Sequence, residues 1–333
     1  MRRAAAALVA IALVACDRSS STPPAPSAAA TTPVASASPA IAPSTSVAIA
    51  NDAGPDAATR ASAEAFADAR PLKGKSIGHT SVVFKVGFEG GLDAAYKPRS
   101  RRGKDRYKGE IAAYRLARAL GLSNVPPALP RSFELKKLRD AFASNPAAVE
   151  LLDKEAVADP DGTLPGALIP WIPKLDFVPL ESTEWRGRWQ AWLKTGGVIP
   201  DEERALAAQI STMIVFDWLT GNWDRWSGAN IGIDRATNTL LYVDNDGAFF
   251  DPAPPQPLGD QLALLKKVER FSARFTGALA KLDALALATA IGEEKPGAPL
   301  LSNKVLHAIE QRRRIAVDHM QKVARSDAGS GFD

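Results

Sequence analysis

The sequence predicts an α+β protein built as two lobes, a small β-rich part followed by a larger helical one. Three patterns carry this. Apolar residues alternate through Val82, Phe84, Val86 and Phe88, the period of a half-buried strand. Residues 107–120 place Ile111, Tyr114, Ala117 and Leu120 on one helical face. Residues 202–220 are strongly apolar and read as a buried helix. Strands first and helices afterwards point to segregated layers rather than a repeating strand–helix unit, and no internal repeat is visible.

In chain order, helical Ala-rich residues run from about Arg60 to Arg70, where the folded part begins. The strand through Val82 to Phe88 turns at Gly90-Gly91 into a second strand, Leu92 to Lys97. The helix 107–120 stops at Gly121, and an extended, proline-marked passage follows from Asn124 to Pro130. Helices are expected at 133–143 and 146–156, then a proline-punctuated strand or linker from Leu164 to Pro173 and a Trp-rich stretch at 185–193. Gly221 stops the apolar helix. Residues 230–234 and 239–243 read as a short hairpin, and helices are expected from Leu258 to about Leu287 and from Ser302 to Val323. This gives a folded domain over 61–325, divided near residue 170, with a short tail at 326–333.

Composition narrows the function classes. The chain has 333 residues, 46% of them hydrophobic, enough for one sizeable two-lobed domain. Its net charge of +4 is mild, and without a basic stripe interleaved with aromatics a nucleic-acid partner is not expected. The one dense basic run, Arg99 to Lys108, reads as a solvated loop between strand and helix. Cys16 is the only cysteine, which excludes an intramolecular disulfide. The histidines are His79, His307 and His319 alone, so zinc hydrolysis and Ser-His-Asp catalysis lack their usual parts.

The N-terminus reads as an export signal. Arg2 and Arg3 precede an apolar run, Ala4 to Ala15, that is too short to span a bilayer. Leu13-Val14-Ala15-Cys16 resembles a bacterial lipobox, which implies cleavage before Cys16 and lipidation of its thiol; the plainer reading is a secretory signal with an incidental cysteine. Residues 17–60, rich in Ala, Ser, Thr and Pro, then form a disordered tether. The expected location is the cell envelope, outside the cytoplasm, held to a membrane through Cys16.

The chemistry concentrates in residues 219–250. The apolar helix delivers the chain into Gly221-Asn222-Trp223-Asp224-Arg225, Asn230 stands at the mouth of the hairpin, and its second strand ends in Asp244-Asn245-Asp246-Gly247. The hairpin brings Asp224 and Asn230 close to Asp244. Two carboxylates and an amide oxygen are hard ligands suited to Mg²⁺ or Mn²⁺.

This stretch, with Val243-Asp244-Asn245 at its end, resembles the catalytic segment shared by HipA-like kinases, secretory-pathway (Golgi casein kinase) kinases and phosphoinositide kinases. All are atypical members of the protein-kinase-like fold. The resemblance implies that Asp224 is the base, Asn230 a metal ligand and Asp244 the main metal ligand. Asp246 is then either a further ligand or a turn residue. In the N-terminal part, Gly78-His79-Thr80-Ser81 corresponds to a phosphate-covering loop, Lys97 to the phosphate-pairing lysine and Glu110 to its carboxylate partner on the next helix. The string from Glu110 to Pro126 is also similar to that family. Leu168 to Ile172, with Ile169 and Trp171, correspond to the hinge against the adenine. The implied cofactors are ATP and Mg²⁺ or Mn²⁺, and the acceptor a hydroxyl on a protein or glycan.

Two features depart from the family. Trp226 stands where relatives carry histidine, and the interval from Asp224 to Asn230 is one residue longer than in typical protein kinases. A nucleotide-binding pseudokinase, or nucleotidyl transfer in the same pocket, are the alternatives. Asp217 reads either as a buried anchor for the catalytic loop or as an exposed helix residue. Trp223 and Trp226 read more readily as packing than as substrate-stacking residues.

Overall fold

The computed structural model describes residues 64–78, 80–326 and 331–332. The expected export signal and tether, Cys16 and His79 lie outside the described residues. A five-stranded antiparallel sheet is formed by β1 (Pro71–Ser76), β2 (Phe84–Phe88), β3 (Asp93–Pro98), β4 (Leu129–Glu134) and β5 (Thr163–Pro170), in the order β1-β2-β3-β5-β4. The expected alternation decides what each sheet face does. Phe84, Tyr96 and Leu168 pair across β2, β3 and β5 and enter an apolar core. Lys85, Ala95 and Ile169 pair in the next row and face the other way, as strand geometry requires. Gly90 and Gly91, both with φ near +75°, make the turn between β2 and β3.

The core face of the sheet is covered by α2 (Leu135–Ala141) and α3 (Pro146–Glu155). Leu138, Phe142 and Leu152 are fully buried there, and the Phe142 ring lies 5.1 Å from that of Phe84. The helix expected over 133–143 therefore begins only at Leu135. Residues 129–134 pair instead with β5 as an edge strand, where Pro130 is tolerated.

Helix α1 (Tyr107–Ala119) ends as expected at Gly121, φ 71°. Its apolar face joins a second core, shared with α4 (Thr183–Trp192), α5 (Arg204–Thr220), α6 (Pro255–Leu265), α7 (Ala273–Lys281), α8 (Ala284–Ile291) and α9 (Asn303–Ser326). The single helical run expected over 258–287 is thus three helices. Ser272 and Asp283 break it by acting as N-caps, their side chains accepting from the amides of Phe275 and Ala286. A small sheet, β6 (Leu175–Phe177), β7 (Ile231–Asp234) and β8 (Thr239–Tyr242), contains the expected hairpin. A last pair, β9 (Glu293–Lys295) and β10 (Ala298–Pro299), follows α8. No helix among the described residues is long and apolar enough to cross a membrane.

Phe142 ties the inserted helices to the sheet. Phe142→Ala is expected to destabilise the fold by about 3–5 kcal/mol, the usual cost of emptying a buried aromatic site, read by chemical denaturation.

Candidate active site

Lys97 is the penultimate residue of β3, on the sheet face opposite the first core, one position beyond Ala95 in the alternation. Its ammonium is buried and lies 2.5 Å from Glu110 Oε1, 2.6 Å from Asp244 Oδ1 and 3.5 Å from Asp246 Oδ2. Three elements converge on that one atom: β3, the first turn of α1 and the turn after β8. Burial disfavours the charged lysine, but Asp244, Glu110 and Asp246 outweigh it and hold the pKa above its ordinary value. Burial raises the Glu110 carboxyl against the pull of Lys97. At Asp244 burial acts upward, yet attraction to Lys97, Arg225 and Arg106 leaves the carboxyl below its usual range.

The turn after β8 is fastened from several sides. Asp244 adopts φ +55°, and Asn245 donates its amide to Glu110 Oε1 at 3.0 Å. Asn245 Nδ2 donates to Tyr242 O at 2.9 Å. Close approach requires glycine on both sides. A Cβ on Gly109 would stand 2.7 Å from Asn245 O, and one on Gly247 would meet Asn222 Oδ1 and Asp224 Cβ at 2.9 Å. Helix α1 is held from its far side too, Arg115 Nη1 donating to Ile291 O at 2.6 Å and Glu293 O at 2.9 Å.

The loop carrying Asp224 follows the left-handed Gly221 cap of α5. Asp224 O accepts from Asn230 Nδ2 at 2.8 Å within the loop, and across the hairpin mouth the Val243 amide, next to Asp244, donates to Asn230 O at 3.1 Å. Burial raises the Asp224 carboxyl; a bond from Ser227 opposes this, and Asp244 and Asp246 add to it. A raised carboxyl is a stronger base. Beneath the loop, Arg225 is fully buried. Its Nε faces both oxygens of Asp217 at 3.1 and 3.2 Å, Nη1 donates to Asn230 O at 2.9 Å and to Val243 O, and Nη2 donates to Asn245 Oδ1 at 2.6 Å. Asp217 is therefore the buried anchor, acting through Arg225 rather than directly on the backbone.

Asp246 is no simple turn residue. It is buried, accepts from Ser81 Oγ at 2.9 Å and Arg106 Nη2 at 2.6 Å, and its carbonyl accepts from Arg106 Nε at 2.9 Å. These bonds join the loop of Gly78, Thr80 and Ser81 to the turn after β8. That loop is closed by the amides of Ile77 and Gly78 on Val83 O, and Arg102 Nη1 reaches Thr80 O at 3.3 Å. The basic run 99–108 is thus no detached solvated loop: Arg102 and Arg106 belong to the site, and in the sequence nothing but their charge marks them. Ala95 and Lys85 were equally unmarked, whereas Asn245 stood in the Val243-Asp244-Asn245 string with no role of its own assigned. Ile169 lies beside Ala95 on the cleft face, and Trp171, 37% exposed, carries Lys85 Nζ 4.1 Å above its ring. Trp226 stacks on Trp189 at 5.4 Å as packing, whereas Trp223 is 41% exposed beside Asp224. Among the described residues, no three His, Cys, Asp or Glu side chains are arranged to hold a metal by themselves.

Burial, opposed by Arg225, pushes the Asp217 carboxyl up to about 6. Between the unfolded value near 4 and this folded value, the folded protein binds the proton more tightly. Stability from this group therefore rises as pH falls from 7 through 6 and levels off below about 4, by ~3 kcal/mol in all. Denaturation of wild type and Asp217→Asn across pH 4–7 is expected to show this slope in wild type only.

Residues 86–251 match the four-jointed box protein middle domain. Among solved structures, a hydra Fam20 with sugar is similar over 80% of this chain and 89% of its own, with 18% identity and a TM-score of 0.57. The Golgi casein kinase with Mn/ADP bound is similar over 78% of this chain and 75% of its own, with 16% identity and a TM-score of 0.56. A second Golgi casein kinase structure gives 15% identity and a TM-score of 0.57, over 79% and 74%. No curated protein matches the chain in sequence. The strand order, the Lys97–Glu110 pair between β3 and α1, and these likenesses agree: the chain has the atypical protein-kinase-like fold of the secretory-pathway kinases.

Proposed function

We propose that this protein is a metal-dependent phosphotransferase that moves the γ-phosphoryl group of ATP to a hydroxyl on a protein or glycan acceptor. One observation carries the reading: a buried lysine bonded at once to a helix carboxylate and to the strand-end Asp244. A buried ammonium with two carboxylates could be structural alone, but Asp244 is also the acid that the kinase resemblance assigns to metal. Two of the similar structures, one with Mn/ADP bound and one with sugar, agree with nucleotide, divalent cation and a hydroxyl acceptor.

The residues fit a Mg²⁺ or Mn²⁺ ion of the kind that binds through one or two protein oxygens and substrate phosphates. Asp244 and Asn230 would hold it; both hydrogen bonds of the Asn230 side chain to described residues are made by Nδ2. Such an ion, when bound, neutralises charge on the β- and γ-phosphate oxygens. Lys97, fixed by Glu110, would pair the α- and β-phosphates, with Gly78, His79, Thr80 and Ser81 covering them. Ala95, Ile169 and Trp171 would receive the base. Asp224 would take the proton of the acceptor hydroxyl as its oxygen attacks phosphorus. The bond from phosphorus to the bridging oxygen breaks, and its electron pair stays on ADP. The signal ending at Cys16 would place this activity outside the cytoplasm on a lipid-anchored protein.

Trp226 and the longer loop favour a second reading, a nucleotide-binding pseudokinase. Adding ATP with Mg²⁺ or Mn²⁺ is expected to stabilise the protein by about 2.7 kcal/mol at 100 times Kd, seen as a rise in Tm. Asp244→Ala should abolish that rise. Asp224→Asn should keep it and lose transfer of ³²P from γ-labelled ATP by ~100-fold or more. A wild type that is unaffected by millimolar nucleotide overturns the kinase reading, and one that binds without transferring is a pseudokinase.

A further inference from the structure

Beyond the end of β3 the cleft continues into a cavity of about 230 Å³. Thr80, Ser81, Lys97, Arg102, Arg106 and Asp246 line it, whereas Ala95 and Ile169 do not. It therefore lies past Lys97, away from the end of the cleft that suits a nucleobase. Its charge is unusual, with four cationic side chains, Lys97, Arg102, Lys104 and Arg106, around one carboxylate. That carboxylate, Asp246, accepts from Ser81 Oγ at 2.9 Å and Arg106 Nη2 at 2.6 Å, with Lys97 Nζ at 3.5 Å. A hydroxyl, an ammonium and a guanidinium pointing at one pair of anionic oxygens form the donor set that a phosphoryl group demands. Arg106 is also held ready rather than saturated. Its Nε and Nη2 are bonded, Nη1 bonds to none of the described residues, and the guanidinium rests 5.6 Å from the centre of the Phe250 ring.

We propose that Arg106 is a catalytic residue. In this assignment Ser81 Oγ and the Arg106 guanidinium form a cradle for the terminal phosphoryl group of a nucleoside triphosphate, bordered by Lys97 on the side of the α- and β-phosphates, and the Asp246 carboxylate holds that place in the present structure. The inference rests on the kinase reading above and adds to it a cation supplied from the loop between β3 and α1. Arg106 takes no proton. It offsets negative charge on the oxygens of the transferred phosphorus while the bond to the leaving diphosphate breaks and the bond to the acceptor oxygen forms, as a cis arginine does in other phosphoryl-transfer enzymes. Asp246 leaves the cradle when the phosphoryl group enters, so the acid competes with the triphosphate but not with a diphosphate.

The test compares binding of AMP-PNP and ADP, each with Mg²⁺, to the full chain by calorimetry. Arg106→Ala is expected to weaken AMP-PNP at least about tenfold, the loss of a charge-assisted phosphate contact, while ADP changes less than about twofold. Arg106→Lys keeps the charge without the fork and should fall between; it supplies the measurement if the alanine variant does not fold. Asp246→Asn should tighten AMP-PNP relative to ADP. An AMP-PNP to ADP ratio unchanged in a folded Arg106 variant overturns the proposal, leaving Arg106 as a clamp on Asp246. Equal weakening of both nucleotides by Asp246→Asn overturns the placeholder role. Failure of wild type to bind either nucleotide overturns the kinase reading itself, and this inference with it.

Discussion

The site is organised around one buried ammonium. Lys97 sits where burial alone would drive it neutral, and only carboxylates from α1 and from the turn after β8 keep it charged. The dependence is mutual, since Glu110 and Asp244 are themselves buried anions that need the lysine. Removing any one leaves an uncompensated charge, which costs more than the pair contributes. This explains why α1 is packed into the helical core and fastened through Arg115 to the end of α8. A helix free to swing would carry Glu110 away from Lys97. The ion cluster and the seating of α1 are one constraint.

A second buried pair sets the floor of the site. Arg225 spends its guanidinium on Asp217, on the carbonyls of Asn230 and Val243, and on Asn245. One rigid fork thereby fixes the loop of Asp224, the mouth of the hairpin and the turn of Asp244 relative to α5. Lysine could not replace it, having no planar set of donors. The left-handed Asp244 is held between these two networks, Lys97 above and Arg225 with Asn245 below. Backbone strain at such a position persists only where surrounding bonds over-determine it.

The fold was legible where local pattern and tertiary role agree. The alternation through Phe84 and the turn at Gly90-Gly91 placed β3 to within a residue and β2 with its start two residues early, and Gly221 marked the end of α5. It was illegible where partners decide. Strand β1, with Gly74 between lysines, has little apolar pattern and forms because β2 offers it an edge. Strand β4 contains a proline and looks like the approach to a helix until β5 pairs with it. The run 258–287 reads as helical along its whole length, and its breaks lie at two capping residues too ordinary to stand out.

At the site the division is similar. Lys97, Glu110, Asp224, Asn230 and Asp244 could be picked from the sequence because each stands at the end of a recognisable element and together they resemble a known order. The sequence by itself determined that these side chains exist at strand ends, a first helical turn and a hairpin mouth. Only the tertiary structure decided which of them meet, because contacts between residues 97, 110 and 244 depend on chain crossings that no local pattern encodes. It also decided between open alternatives at Asp217, buried by its bond to Arg225, and at Trp226, packed on Trp189, and it set Asp246 against Ser81 and Arg106. A charged residue carries no mark of its partner. Arg106 reads as one basic residue among several until folding sets a carboxylate, a hydroxyl and a lysine beside it.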